Sequence, residues 1–243
     1  MTMRIAIFGD IHSNLEALQA VLAHAEANHC THFVCLGDIV GYAADPKACL
    51  DVVRALDCPV VKGNHDELAC MDFMPDNVSG LAIEGIAHTR KQLTEEDIEW
   101  LDNLKFVRNV RDFTVVHATL DTPNHWGYVM NALDAGASLS YQHTQLCFFG
   151  HTHVPRYYVR ETGVRGFDGW DSIGIEAGKK YFVNVGSVGQ PRDGDWRAAY
   201  AIYHPAEHDV VLHRVPYDIE AAQRKILEVG LPERLADRLA QGR

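Results

Sequence analysis

Three short apolar runs in the first part of the chain each end in glycine followed by a polar residue. They are RIAIFGD at 4–10, HFVCLGD at 32–38 and CPVVKGN at 58–64. Two segments with apolar residues at helical spacing separate these runs, at 14–30 and 45–56. Strands that alternate with amphipathic helices predict parallel strands joined by helical crossovers. The pattern therefore indicates an α/β fold.

The middle of the chain is predicted to be mostly helical before strands return. We expect residues 67–105 to form a helical insertion or cap, in which Thr94 and Asp97 have the spacing of a capping box. Apolar runs at 113–120 and 146–155 then predict two further strands, each interrupted by histidine.

The last third of the chain is predicted to contain antiparallel strands followed by two amphipathic helices. Residues 160–180, rich in glycine and charge, indicate an inserted loop or hairpin. The segments 179–204 and 209–218 have the apolar content of strands with glycine-rich turns. Because no Pro/Ser-rich linker divides the chain, we expect one domain over 1–243.

Composition narrows the classes of protein to which this chain can belong. The 243 residues are 47% hydrophobic and 23% charged, with a formal net charge of −11, which is ordinary for a globular protein. The acidic balance argues against coating a long nucleic acid or an anionic membrane, since both require a basic surface. It permits a small phosphate substrate, because bound divalent cations reverse the local field.

Cellular location is predicted from the absence of targeting signals. The first apolar run is interrupted by Asp10 and is too short for a signal peptide, and no stretch reaches the ~20 apolar residues of a membrane helix. The six cysteines include no C-x-x-C pair and are expected to be reduced thiols. We therefore expect a cytoplasmic protein, and no oligomeric state is predicted.

Polar clusters follow five of the predicted strands. They are Asp10 with His12, Asp38, Asn64 with His65 and Asp66, His117, and His151 with His153. The carboxyl ends of parallel strands form the edge where open α/β sheets bind ligands. Burying these groups without a partner would cost several kcal/mol each. Oxygen and nitrogen donors together suit Mn, Fe, Zn, Co or Ni better than Ca or Mg.

The number of candidate ligands exceeds what one ion can use, so we expect two divalent ions that share a bridging carboxylate. The segment FFGHTHVP places His151 and His153 one residue apart. Just past a strand this spacing can direct the two rings toward neighbouring points, and we expect one ring on each ion. The alternative interpretation is a pair of surface histidines.

The ordered motifs GDIHSN, GDIVGY, GNHDE, VHA and GHTH, which span residues 9–153, resemble the signature of the calcineurin-like metallophosphoesterase superfamily. The nearest resemblance is to its small prokaryotic phosphodiesterase-type members. The resemblance implies a four-layer α/β/β/α sandwich, into which the strand-rich segment up to about residue 215 would fit. It also implies hydrolysis of phosphoesters by attack of a hydroxide that bridges two metal ions.

The resemblance also implies individual roles. One ion would be held by Asp10, His12, Asp38 and His153, and the other by Asp38, Asn64, His117 and His151. His65 would be catalytic and give a proton to the leaving oxygen, with Asp66 orienting it. The alternative for His65 and Asp66 is a structural ion pair.

The second motif departs from that of the protein phosphatases and the symmetrical dinucleoside tetraphosphatases, because GDIVGYAADP lacks their arginine. Arg192 is the comparable candidate for contacting phosphate, and a solvated turn charge is the alternative. Tyr42, with Trp126 and Tyr128, could line the pocket and stack a base, or could serve only in packing.

The sequence thus predicts a binuclear metallohydrolase acting on phosphodiesters or nucleotide polyphosphates, such as a dinucleoside tetraphosphate. A phosphomonoesterase, including a protein phosphatase, is one alternative. A metal-binding interaction module without turnover is the other.

Overall fold

The computed structural model describes residues 2–243, over which the chain forms eleven strands and eight α-helices. The strands are β1 (Ile5–Phe8), β2 (His32–Cys35), β3 (Val107–Val110), β4 (Phe113–Val116), β5 (Leu146–Phe149), β6 (Arg156–Arg160), β7 (Val164–Asp168), β8 (Ser172–Gly174), β9 (Lys180–Asn184), β10 (Ala198–His204) and β11 (Asp209–Val215). The helices are α1 (Leu15–Ala27), α2 (Pro46–Ala55), α3 (Asn64–Cys70), α4 (Gly80–Gln92), α5 (Glu95–Asp102), α6 (Ala132–Tyr141), α7 (Ile219–Glu228) and α8 (Glu233–Gln241).

The strands form two mixed sheets. The first has the order β2-β1-β10-β11-β8, in which β1 is parallel to β2 and antiparallel to β10. The second has the order β3-β4-β5-β9-β6-β7, in which β5 is parallel to both β4 and β9. The sequence predicted a full strand at 58–64, but only Val60 and Val61 make isolated parallel bridges. Pro59 has no N–H to donate to a ladder, which limits pairing there.

Successive side chains along a strand point to opposite faces of its sheet, and apolar side chains form layers on both faces. In β1, Ile5 and Ile7 contribute to the core between the sheets, whereas Ala6 and Phe8 pack beneath helices. Helices α1, α2, α7 and α8 cover the outer face of the first sheet. Helix α6 covers the second, where Ala135 packs near Phe182. The predicted α/β/β/α sandwich is confirmed.

Residues 67–105 carry most of α3 and all of α4 and α5, which pack on one another at one end of the sheets. Thr94 Oγ1 accepts from the Asp97 amide at 3.2 Å, and the Asp97 carboxylate accepts from the Thr94 amide at 3.0 Å. The predicted capping box is therefore present. No helix within residues 2–243 is long and apolar enough to cross a membrane.

The segment 160–180 connects the two sheets. It contains β7, which forms an antiparallel hairpin with β6 in the second sheet, and β8, which pairs with β11 in the first. The strands β9 and β10, adjacent in the chain, also lie in different sheets. The loop between them, residues 185–197, therefore crosses the edge at which the polar clusters lie.

Candidate metal centre and adjoining cleft

Two pairs of parallel strands, one pair in each sheet, bring six of the seven predicted ligands to one edge of the sandwich. Asp10 and His12 follow β1, Asp38 follows β2, His117 follows β4, and both His151 and His153 follow β5. Ligand atoms from these residues form two groups, and the atoms of each group lie within 4.8 Å of one another. The groups are Asp10, His12, Asp38 and His153, and Asp38, His117 and His151.

Asp38 belongs to both groups, and Asn64 adjoins the second. The Asn64 side-chain oxygen lies 3.2 Å from His117 Nε2. One Asp38 oxygen lies 3.5 Å from His12 Nε2 and 3.4 Å from His117 Nε2. All seven residues predicted from the sequence as ligands are therefore close together, and all except Asn64 are buried.

The backbone at these positions is unusual for residues other than glycine. Asp10, His12, Asp38, His151 and His153 all have φ between +49° and +67°. Such conformations typically cost of order 1–3 kcal/mol each and cluster at functional sites. Interlocking hydrogen bonds hold two of the loops, since the amides of Asp10 and His12 donate to the carbonyls of Gly37 and Asp38.

Two glycines leave room for the carboxylates. A Cβ at Gly150 would lie 2.5 Å from an Asp10 oxygen, and a Cβ at Gly63 would overlap an Asp38 oxygen. The glycine that opens each of the motifs GHTH and GNHDE is thus explained by close approach to a candidate ligand rather than by turn conformation alone.

Each candidate histidine ligand has one ring nitrogen fixed by a backbone carbonyl. The pairs are His12 Nδ1 with Val40 at 3.3 Å, His117 Nδ1 with Leu36 at 2.7 Å, His151 Nε2 with Trp126 at 3.0 Å, and His153 Nδ1 with Gln190 at 2.6 Å. Because a carbonyl only accepts, these nitrogens carry the proton of the neutral ring. The opposite nitrogens are left as lone-pair donors, which is the arrangement that orients histidine toward a metal.

The lone pairs that remain face one another without an intervening proton. His12 Nε2 and His153 Nε2 are 3.0 Å apart, and His153 Nε2 lies 3.5 Å from an Asp10 oxygen. Lone pairs and carboxylate oxygens at these separations repel unless a cation is present. The residues of this chain therefore fit divalent cations with mixed nitrogen and oxygen ligands.

Burial and charge act in opposite directions on the ionisable groups of the cluster. Burial raises the pKa of Asp10 to about 7, because the carboxylate loses hydration. Burial would lower the pKa of His117, but the Asp38 and Asp10 carboxylates raise it to about 9. Burial lowers the pKa of His151 to about 3. A bound cation favours ionised carboxylates and neutral histidines together.

Asp66 makes its hydrogen bonds to the backbone. Its carboxylate accepts from the backbone amides of Asp38, Ile39 and Gly63 at 2.9–3.0 Å. These contacts fix the loop that carries Asp38. The orientation of His65 by Asp66 stays a prediction, and the structure contains no hydrogen bond between this carboxylate and the His65 ring.

His65 lies beside the cluster without contacting a carboxylate through its ring. Its ring packs against those of His12 and Tyr42, with centroids 4.7 Å and 4.4 Å away, and its Nδ1 is buried without a hydrogen bond. Its backbone amide donates to Asp38 at 2.8 Å. Burial lowers the pKa of His65 to about 4, so the protonated form that the sequence suggested is disfavoured.

A cleft of about 570 Å³ opens from the cluster. Tyr42 and Arg192, predicted to contact substrate, both line it. The Arg192 guanidinium carbon lies 5.8 Å from the Tyr42 ring centre, and Arg192 Nε is buried without a partner. Arg238, at 5.9 Å from the same ring centre, was not singled out from the sequence, because nothing in α8 signals its position.

Supporting residues come from the loop between the sheets and from α3. Ser187 Oγ donates to the Asp10 carbonyl at 2.8 Å, and Gln190 carries the carbonyl that fixes His153. Glu67 accepts from the indole N–H of Trp126 at 2.7 Å. Every residue has a backbone carbonyl, so the sequence does not show which carbonyl makes a contact. The turn GSVGQ beside a strand is the sequence signal for the contact between Ser187 and Asp10.

Comparisons with known proteins agree with this arrangement. The model of the family described as calcineurin-like phosphoesterase superfamily domain matches residues 3–208. Uncharacterized protein MJ0912 of Methanocaldococcus jannaschii is 37% identical, and the match covers 98% of each chain. A crystal structure of a metallophosphoesterase from Sphaerobacter thermophilus is 39% identical, covers 100% of both chains and has a TM-score of 0.89. Hypothetical protein PH1004 from Pyrococcus horikoshii OT3, at 18% identity over 99% of each chain and a TM-score of 0.82, shares the fold.

Proposed function

Since this chain belongs to the calcineurin-like phosphoesterase superfamily and is a phosphoester hydrolase, we propose that it cleaves phosphodiesters or nucleotide polyphosphates with the aid of two divalent metal ions. The oxygen of water joins phosphorus, the ester P–O bond breaks, and the leaving oxygen takes up a proton. The donor set suits Mn, Fe, Zn, Co or Ni.

The proposed ligands follow the two groups of converging side chains. Asp10, His12, Asp38 and His153 would hold one ion, and Asp38, Asn64, His117 and His151 the other. When bound, such ions supply Lewis acidity that activates water and offsets the charge developing on phosphoryl oxygens. The side chains of the protein must then position the ester and stabilise the leaving oxygen.

Arg192 and His65 are suited to those two tasks. The buried Nε of Arg192 has no hydrogen-bond partner within the protein, while its other end is held by Gln190 at 3.0 Å. Because Arg192 also lines the cleft, its guanidinium can donate to a phosphoryl oxygen. His65 lines the same cleft, and the N–H of its neutral ring can give a hydrogen bond to the leaving oxygen.

The observation that carries this proposal is the fixed direction of four histidine rings. Each gives its N–H to a backbone carbonyl and leaves its other nitrogen beside buried carboxylates. An arrangement of that kind has little use without cations, because the lone pairs would repel one another.

The test is metal analysis combined with assays on three substrates. Protein purified without chelator would be analysed for metal content and then assayed, with Mn²⁺ added, on bis(4-nitrophenyl) phosphate, 4-nitrophenyl phosphate and a dinucleoside polyphosphate. We expect about two ions per chain and the highest kcat/KM on a diester or on the polyphosphate. Preference for the monoester would instead identify a phosphomonoesterase, and one ion per active chain would contradict the binuclear centre.

A further inference from the structure

We propose that the outer part of the cleft binds a planar, uncharged ring, of the kind found in a nucleobase, carried by the substrate next to its scissile phosphate. The outer part is defined as the cleft-lining residues of segments 67–82 and 124–128. This inference rests on the proposed function, since it concerns the group attached to the phosphoester.

One wall of the outer part presents an aromatic face. The Tyr128 ring stacks on the His151 ring, with centroids 4.3 Å apart and planes inclined by 32°. The Tyr128 side chain is nevertheless 57% exposed. Because one face of the ring is covered by His151, the exposure belongs largely to the other face. A second flat group could stack there while its phosphate lies near the metal cluster.

This aromatic wall is fixed in place at two points. The indole N–H of Trp126 donates to Glu67 on α3, and the Trp126 carbonyl accepts from His151. The segment that carries Tyr128 is thus tied both to the helix beside the cleft and to a proposed metal ligand. A ring-binding surface held in advance loses little conformational entropy when it binds.

Apolar residues from the connection between α3 and α4, and from the first turn of α4, also line the outer part. Met71, Pro75, Val78 and Ala82 line it. Arg90 on α4 donates to the carbonyls of Leu68 and Met71, which fixes the start of this connection against the helix. A flat ring that binds on Tyr128 would therefore share the cleft with apolar side chains.

The charges along the cleft favour a ring over a longer phosphate chain. Among the lining residues of the outer part, the carboxylate is Glu67, which Trp126 already engages. The guanidinium at the cleft is Arg192, at the inner end beside the cluster. Asn77, Ser79 and Asn124 contribute amides and a hydroxyl, and His125 contributes an imidazole, and all of these groups can bond the edge of a base.

The size of the cleft agrees with this assignment. Its volume of about 570 Å³ lies in the range of roughly 300–1,000 Å³ that is usual for small-molecule sites. Part of that volume adjoins the metal cluster, which leaves the remainder for a group of about the size of one nucleoside. We therefore infer a mononucleoside phosphoester as the substrate class, rather than an extended polyphosphate.

The test compares two product-like inhibitors that differ only in the base. Adenosine 5′-monophosphate and ribose 5-phosphate would be measured as competitive inhibitors of bis(4-nitrophenyl) phosphate hydrolysis by the metal-loaded enzyme. We expect adenosine 5′-monophosphate to bind about tenfold more tightly, since stacking on an aromatic side chain is typically worth a factor of ten or more. Titration calorimetry with the same two compounds gives the comparison without turnover.

Matched variants test whether the difference in affinity between the two compounds comes from the aromatic wall. Tyr128→Ala should raise the inhibition constant of adenosine 5′-monophosphate about tenfold and leave that of ribose 5-phosphate nearly unchanged, while Tyr128→Phe should behave like the wild type. Val78→Ala should give a smaller loss in the same direction. Tyr141→Ala, which removes an aromatic ring 61% exposed on α6 away from the cleft, should change neither constant.

Three results would overturn the inference or its premise. Equal affinity of the wild type for the two compounds would show that the cleft has no ring-binding site. Equal losses of both compounds in Tyr128→Ala would show that Tyr128 acts only through His151. Absence of hydrolysis in a protein that holds its metals would refute the proposed function, and calorimetry would still decide whether the ring site exists.

Discussion

At the scale of single residues, five proposed ligands stand in backbone conformations that glycine would adopt without strain. They are Asp10, His12, Asp38, His151 and His153. Each position therefore carries a side chain at a cost of order 1–3 kcal/mol. The hydrogen bonds around them hold the loops in this shape before any ligand binds. Such local strain at buried polar residues is typical of binding sites.

Each ion is assigned four ligands, one of which is shared, and this division can be tested residue by residue. We expect His153→Ala to weaken mainly the ion held with His12, and His151→Ala mainly the ion held with His117. Asp38→Asn should weaken both, because it removes the charge that the two groups share. Metal content and stepwise metal titrations would measure these losses.

The exposed His143, which lies outside the cluster, provides the control for the histidine substitutions. His143→Ala should keep both ions at wild-type affinity. If His151→Ala and His153→Ala lose the same ion, the division of ligands proposed here is incorrect.

His65 should affect catalysis more than metal binding. If its ring assists the leaving oxygen, His65→Ala should lose ~10²–10⁴-fold in kcat on an alkyl or ribose ester and far less on a nitrophenyl ester, whose phenolate departs unaided. Steady-state kinetics on this matched pair of esters would measure the difference. Metal content would be determined on the same samples.

The competing interpretation is that His65 only supports the packing of its neighbours. A Cβ at Gly41 would overlap His65 Nδ1, so this ring does fill space beside the second motif. A supporting role predicts equal losses on both esters, or loss of metal.

At the scale of elements, the start of α3 joins two loops of the site. Asp66 on its first turn accepts from the amides of Asp38 and Gly63, which belong to the loops after β2 and before α3. Helix α3 thereby fixes the position of the carboxylate that both metal groups share. This connection also explains why the motif GNHDE has an acidic residue that does not touch its histidine.

We expect Asp66→Asn to lower metal affinity even though Asp66 is not a proposed ligand. The amide has half the acceptor capacity of the carboxylate and no charge, so the loop that carries Asp38 would be held less firmly. Loss of such supporting contacts typically costs 10–100-fold in metal affinity. Competition with a chromophoric chelator would measure it.

The control is Asp76→Asn, which changes an exposed carboxyl on the connection between α3 and α4. It should leave metal affinity unchanged. Wild-type affinity in Asp66→Asn would mean that the backbone alone holds Asp38 in place.

At the scale of the whole molecule, the sequence revealed the layers and the ligand types but not the supporting contacts. Motif order and strand ends placed Asp10 and His151 correctly, because apolar runs ending in polar residues are visible in residue type. The carbonyls of Leu36 and Trp126 that direct the rings were invisible, because every residue has a carbonyl. The contacts of Asp66 were equally invisible, since its partners are backbone amides.

The metal ions should also contribute to the stability of the folded chain. The first sheet supplies Asp10 and Asp38, and the second supplies His117 and His151, so bound ions would join the two sheets. A ligand at about 100 times its dissociation constant stabilises by about 2.7 kcal/mol. For a chain of this size that corresponds to a rise in Tm of about 5–10 °C.

Thermal unfolding with chelator, and then with excess Mn²⁺, would measure this contribution. The chelated protein should unfold at the lower temperature and recover on addition of the metal. Asp38→Asn should show a much smaller difference between the two conditions. An identical Tm in both conditions for the wild type would contradict a metal link between the sheets.

The pairing of β1 with β10 has a consequence for how the protein is made. Ile5 lies opposite Tyr203, so β1, an interior strand of the first sheet, is synthesised early and pairs with one of its neighbours only near the end of translation. All seven proposed ligands, the last of them His153, have by then left the ribosome's catalytic centre. For part of its synthesis the nascent chain therefore contains every proposed ligand but not yet the complete first sheet that positions them. Closing so long a loop is slow compared with local pairing, and assembly of the centre should be among the last events in the life of the growing chain.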